Sequence, residues 1–230
     1  MSSPFRQLVD EIAWEGDARK YRGGGIGREN VLTAEVFQLL DLLPRSQYLG
    51  PVLDDAQGGA DGHGKGLGTD PEGLTVSVLP GNLTTDGLQV RVQPDVLITS
   101  DSLFVLVDAK AVRRASFPPQ QLAREVLVAR DRAEGRRAVH LLVLGAPPPV
   151  QVRGLGPLQM QDALAVGLDL LEDRVPDRST DGVEMLWTTW EAIAHRVATS
   201  QGMFTNADPS VVWSVHRMGA ALRTAIDLHS

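Results

Sequence analysis

Hydrophobic residues recur along the chain in two rhythms. Residues 28–43, RENVLTAEVFQLLDLL, place Val36, Leu39, Leu40 and Leu43 at helical spacing, and Pro44 ends the run. Three β-branched-rich runs follow: Leu74–Leu79, Leu88–Thr99 and Leu103–Val112. The turn-forming stretches PGNLTTDG and SDS separate them, so they read as strands. Residues 118–134 predict a helix opened by Pro118 and Pro119. AVHLLVLG (138–145) predicts a buried strand closed by APPP. Beyond it lie a helix over 158–173, a strand at VEMLW (183–187) and two closing helices over 188–200 and 209–228. Residues 54–73, rich in Gly and Asp, read as a loop. The order helix, three strands, helix, strand predicts an α/β fold, a mixed central sheet flanked by helices, with a C-terminal helical appendage. The expected division is an N-terminal segment (1–27), a core (28–145) and a strand/helix region (146–230) packed on that core.

Composition narrows the function classes. A length of 230 residues suits one domain with or without an appendage. The absence of cysteine excludes a disulfide framework, a thiol nucleophile and thiolate-held metals. No apolar run approaches the ~20 residues of a membrane helix, and the first residues lack a basic-then-apolar signal pattern. The expectation is a cytoplasmic protein without membrane association. The net charge of −7 argues against a general nucleic-acid binder, but charge is unevenly spread. From Lys110 to Arg137 eight basic residues face three acids, Glu125, Asp131 and Glu134, leaving +5 locally and −12 elsewhere. Such a segment is either a solvated helix surface or a phosphate-contacting face, with Arg113, Arg114 and Arg124 as the phosphate contacts.

The stretch VQPDVLITSDSLFVLVDAKAV (Val92–Val112) puts Asp95, Asp108 and Lys110 among core-type residues. A two-residue turn at Asp101–Ser102 would bring Asp95 opposite Asp108, about 5 Å apart at Cβ, with Lys110 on the same face as Asp108. Like charges directly opposite destabilise a sheet. A divalent cation between the acids resolves the conflict, and such oxygen ligands suit Mg²⁺. The plainer alternative is a salt bridge at exposed strand ends. The apolar flanks of FVLVDAKAV argue against it, because a charge in a central strand needs a partner or a ligand.

Pro94–Asp95 followed by Asp108-Ala109-Lys110, on adjacent predicted strands with a helix next, resembles the PD-(D/E)XK nuclease superfamily. The resemblance covers roughly residues 28–145 and implies a restriction-endonuclease-like αβββαβ core. It implies a nuclease dependent on Mg²⁺ or Mn²⁺. Asp95, Asp108 and the Ala109 carbonyl would be metal ligands, and Lys110 would orient or activate the attacking water and stabilise phosphate charge. A glutamate of the first helix often completes the metal shell in that superfamily. At about 100° per residue, Glu29 lies about 40° from the centre of the apolar stripe and Glu35 about 80°. Glu29 is therefore the expected ligand and Glu35 the reserve. Gln121, early in the second helix, resembles the glutamine of the Q-x-x-x-Y motif of several branches. Glu125 stands where that motif has its second residue.

Other signals carry less. GADGHGK (Gly59–Lys65) nearly spells a phosphate loop, but Gly66 follows where a hydroxyl is needed, and no strand precedes it. The five histidines have no metal-ligand spacing and read as structural or exposed. Trp187 and Trp190 read as core. The reading is a deoxyribonuclease of the metal-dependent, direct-water-attack type. Two alternatives stay open. One is a nuclease-fold subunit that binds nucleic acid but needs a partner, or a second copy, through the C-terminal region. The other is a structural α/β protein with a salt-bridge cluster.

Overall fold

The computed structural model describes residues 26–59, 62, 64–85, 90–110, 116–171, 179–203 and 208–229, and for 26–29 and 229 the backbone alone. Helix α1 (Ile26–Leu42) is followed by α2 (Leu49–Asp54) and strands β1 (Gln57–Gly58), β2 (Thr75–Val78), β3 (Leu83–Thr84), β4 (Arg91–Val92), β5 (Val96–Thr99), β6 (Leu103–Ala109) and β7 (Ser116–Phe117). Then come α3 (Pro119–Ala133), β8 (Arg137–Leu144), β9 (Val150–Val152), β10 (Gly156–Leu158), α4 (Met160–Asp169), β11 (Val183–Thr189), α5 (Trp190–Met203) and α6 (Pro209–His229).

The main sheet is mixed and has six strands in the order β1-β11-β8-β6-β5-β2. β2, β5 and β6 form an antiparallel meander. β8 runs parallel to β6, β11 runs parallel to β8, and β1 closes the edge antiparallel. β6 is buried at every position, and β8 at all but its first, as their unbroken apolar runs require. The two-residue turn falls where expected: Ser100 N–H donates to the Leu103 carbonyl at 2.9 Å, leaving Asp101–Ser102 as the loop.

Two layers of helix sandwich the sheet. Val105, Val107 and Ala109 of β6 pack into one core with α1, α2, α5 and α6, through residues such as Phe37, Leu49, Trp190 and Leu222. Phe104 and Leu106 face the other way into a second core under α3 and α4, with Leu122, Val126, Met160 and Leu164. The alternation of β6 side chains thus assigns Asp108 to the α3 side.

The structure departs from the sequence expectations in three places. The run Leu88–Thr99 is not one strand. Pro94 has no N–H to give a ladder, so β4 pairs with β3 in a separate ribbon and β5 begins only at Val96. The 54–73 stretch holds β1 and a 3₁₀ turn at Pro71–Gly73 as well as loop. β7, β9 and β10, too short for a periodicity signal, form a three-stranded sheet of their own. The C-terminal region shares the core's own sheet, because β11 is hydrogen-bonded beside β8.

Candidate active site

Asp108 is the next-to-last residue of β6 and only 3% exposed. Lys110 Nζ donates to its Oδ1 at 2.8 Å and lies 2.7 Å from Oδ2. Oδ2 is buried and accepts no hydrogen bond from the described residues. Burial holds the Asp108 carboxyl well above the usual carboxylate range. The Glu125 charge adds to this, Asp95 contributes less, and Lys110 opposes all three.

Asp95 comes to the same place by an irregular route. Regular pairing of β5 with β6 ends at Val96–Val107, and the Asp95 N–H also reaches the Val107 carbonyl at 3.1 Å. The Asp95 carboxylate then accepts the Ala109 N–H at 2.7 Å, taking the place of a partner strand's carbonyl. The expected direct cross-strand pair is therefore modified. Asp95 does not extend the ladder opposite Asp108 but caps the end of β6. In an extended strand one residue's N–H and C=O point the same way. The Ala109 carbonyl consequently faces the Asp95 side, whereas Lys110 N–H turns to Val143 of β8 at 2.8 Å.

Lys110 is fixed from three directions. Asp108 pairs its ammonium, the Phe117 ring lies 5.2 Å from Nζ, and Trp190 Nε1–H donates to its backbone carbonyl at 2.8 Å. Trp190 opens α5 and is buried, as expected of a core residue, but it also anchors this backbone. No signal in the sequence announces that contact, which joins residues 80 apart.

Gln121 reaches the site as expected, its Nε2 donating to Asp108 Oδ1 at 3.3 Å and to Glu125 Oε1 at 2.8 Å. Glu125, noted only at the second position of the motif, and His140, read as structural or exposed, are the residues to which the sequence assigned no site role. Both are buried, and His140 Nε2 lies 3.0 Å from Glu125 Oε2. His140 is the β8 partner of Leu106, so it faces α3 one pleat away from Asp108. The signal was present: a histidine inside the apolar strand AVHLLVLG needs a polar partner.

The remaining expected residues are placed unequally. Arg113 and Arg114 lie outside the described residues, as does the side chain of Glu29. α1 packs on the sheet face opposite Asp108, which removes the premise that its apolar stripe shares a face with the acids. Glu35 is exposed and does not meet the site. Arg124 is half-buried on α3. The basic stretch is not one open face. Arg137 forms a bidentate pair with Glu184 at 2.7 and 2.8 Å, Arg136 stacks 5.2 Å from the Phe104 ring, and Arg130 donates to the Ser179 carbonyl. Near the abortive phosphate loop, Asp54 Oδ1 accepts the N–H groups of Gly66 and Gly68 at 3.0 and 2.9 Å, occupying amides that an anion would need.

Among the described residues no group of three or more His, Asp or Glu side chains is placed to hold a metal ion. The oxygen set around Asp108 nonetheless suits a hard cation. It offers the buried Asp108 carboxylate, the second acid Asp95, and a carbonyl turned to the Asp95 side. The Asp95 and Glu125 carboxylates both bear on Asp108, and Asp108 pairs with the Lys110 ammonium. No protein-family model, curated protein or solved structure matches the chain.

Proposed function

We propose that the chain is a divalent-metal-dependent nuclease of the PD-(D/E)XK type that hydrolyses phosphodiester bonds in DNA. One observation carries the reading: Asp108 and Lys110 share one face at the end of a central buried strand, and Asp95 from the adjoining strand caps that same end. The meander β2-β5-β6, the crossover through α3 and the parallel strand β8 support a restriction-endonuclease-like core. Asp95, Asp108 and the Ala109 carbonyl would hold Mg²⁺ or Mn²⁺. A bound cation of this kind lowers the pKa of water and neutralises developing phosphate charge. Lys110, held by Asp108 and by its anchored backbone, binds the phosphate and orients the water that attacks it. Gln121 donates to Asp108 Oδ1, the oxygen that also accepts from Lys110. Arg113, Arg114 and Arg124 would position the flanking backbone electrostatically.

Cleavage of linear, circular and single-stranded DNA with Mg²⁺ or Mn²⁺, against Asp108→Asn and Lys110→Met, tests the reading. Metal-dependent cleavage lost in both variants supports it. Activity retained in both would remove Asp108 and Lys110 from the chemistry.

A second reading, a nuclease-fold subunit that acts only with a partner or a second copy, is favoured by α6. Its Trp213 is 71% and Leu228 75% exposed. Light scattering of the purified chain, paired with its activity alone, separates the two.

A further inference from the structure

Near Asp108 the proposed chemistry leaves two buried ionisable side chains without a task, Glu125 and His140. Glu125 lies on the face of α3 that also presents Leu122 and Val126 to the second core. A carboxylate there costs desolvation free energy that an apolar residue would not. Its two oxygens are both engaged: Oε1 accepts from Gln121 at 2.8 Å, and Oε2 meets His140 Nε2 at 3.0 Å. His140 Nε2 donates in the second contact when it carries the ring hydrogen, and the carboxylate then accepts.

The consequence falls on Gln121. Its amide has two donor hydrogens and one acceptor oxygen. The nitrogen faces two acceptors, Asp108 Oδ1 at 3.3 Å and Glu125 Oε1 at 2.8 Å. Turning the amide over would set its carbonyl against both carboxylates, so the network itself fixes which way it lies. Asp108 alone is a weak guide, because that hydrogen bond is the longer of the two. Glu125 supplies the shorter one, and His140 holds Glu125 from β8.

We propose that Glu125 and His140 are positioning residues for the phosphodiester hydrolysis. They lock the Gln121 amide with its NH₂ group toward Asp108, leaving the Gln121 carbonyl as the acceptor available to water or substrate. The inference rests on the nuclease reading for its kinetic consequence, but its structural content stands without it.

The test combines kinetics with a measurement on the metal-free protein. Glu125→Leu removes the clamp. Glu125→Gln keeps it, since the new amide accepts from Gln121 and donates to His140 in its other tautomer. In the NMR spectrum of wild type without metal, the Gln121 side-chain NH₂ protons are expected to be protected from exchange. That protection is kept in Glu125→Gln and lost in Glu125→Leu. With Mg²⁺ and DNA, Glu125→Leu and His140→Leu are expected to lower kcat roughly 10- to 100-fold at nearly constant KM. Glu125→Gln should stay near wild type. Gln121→Ala combined with Glu125→Leu should lose no more than the worse single variant, because both act through one amide. Unprotected Gln121 protons in folded wild type, or multiplicative losses in the double variant, would overturn the proposal. Protected protons in a wild type that cleaves nothing would leave the clamp standing and remove the nuclease reading instead.

Discussion

Asp108 concentrates the electrostatic cost of the fold in one side chain. Its pKa is raised by burial first, then by Glu125 and Asp95. The native state therefore holds the proton more tightly than the unfolded chain. The stability from that proton is complete below the unfolded carboxylate pKa, about 4. It is lost as pH rises through the raised folded value. In chelator, wild type is expected to lose stability over that window, while Asp108→Asn shows a flatter profile. Urea unfolding at several pH values reads the difference, and parallel profiles would contradict it. Lys110 gives the complementary case. Lys110→Met leaves Asp108 buried without its cation, at a cost of about 3–5 kcal/mol. Mg²⁺ should restore part of the loss, because a divalent ion replaces the missing charge; equal melting with and without Mg²⁺ would count against a metal at this place. These residues were legible in the sequence because charges interrupt an apolar strand pattern. Glu125 and His140 were not paired there, since nothing local shows that residues 15 apart meet. His140 inside an apolar strand signals that a polar partner is needed, but not which one.

At the scale of elements, the β5–β6 hairpin was readable because alternation and the short link at Asp101–Ser102 fix its register. Its failure point was equally local: Pro94 ends the ladder, and Asp95 turns from cross-strand partner into a cap for Ala109. The packing that sets α3, the helix bearing Gln121 and Glu125, was not readable. α4 approaches α3 so closely at Gly167 that a Cβ there would collide with the Pro119 carbonyl oxygen and lie 3.0 Å from Ala123 Cβ. Gly167→Ala should destabilise the protein by about 1–3 kcal/mol through overpacking, measured by chemical denaturation. No loss would mean that α4 shifts freely. α5 reaches the site through the Trp190 indole. Trp190→Phe keeps the buried ring but deletes the donor to the Lys110 carbonyl. The expected cost is about 0.5–1.5 kcal/mol, with a fall in kcat that exceeds any change in DNA affinity. An unchanged kcat would show that Lys110 needs no such anchor.

For the whole molecule, the mixed sheet between two helical layers followed from the order of elements. Its width did not, because β11 pairs in parallel with β8 across the intervening β9, β10 and α4, and nothing local shows which distant apolar runs meet. The local charge excess from Lys110 to Arg137 was visible, but its use was not. Arg130, Arg136 and Arg137 bind parts of the fold, and Arg113, Arg114 and Arg124 are the residues proposed for the DNA contact. The central claim is that Asp95 and Asp108 together form a divalent-cation site with Lys110 beside it. Calorimetric titration of Mn²⁺ into the purified chain tests it most directly. The account predicts saturable binding in wild type, abolished in Asp95→Asn and Asp108→Asn and preserved in Lys110→Met. Mn²⁺ binding that is undiminished in Asp108→Asn, or absent from folded wild type, would contradict it.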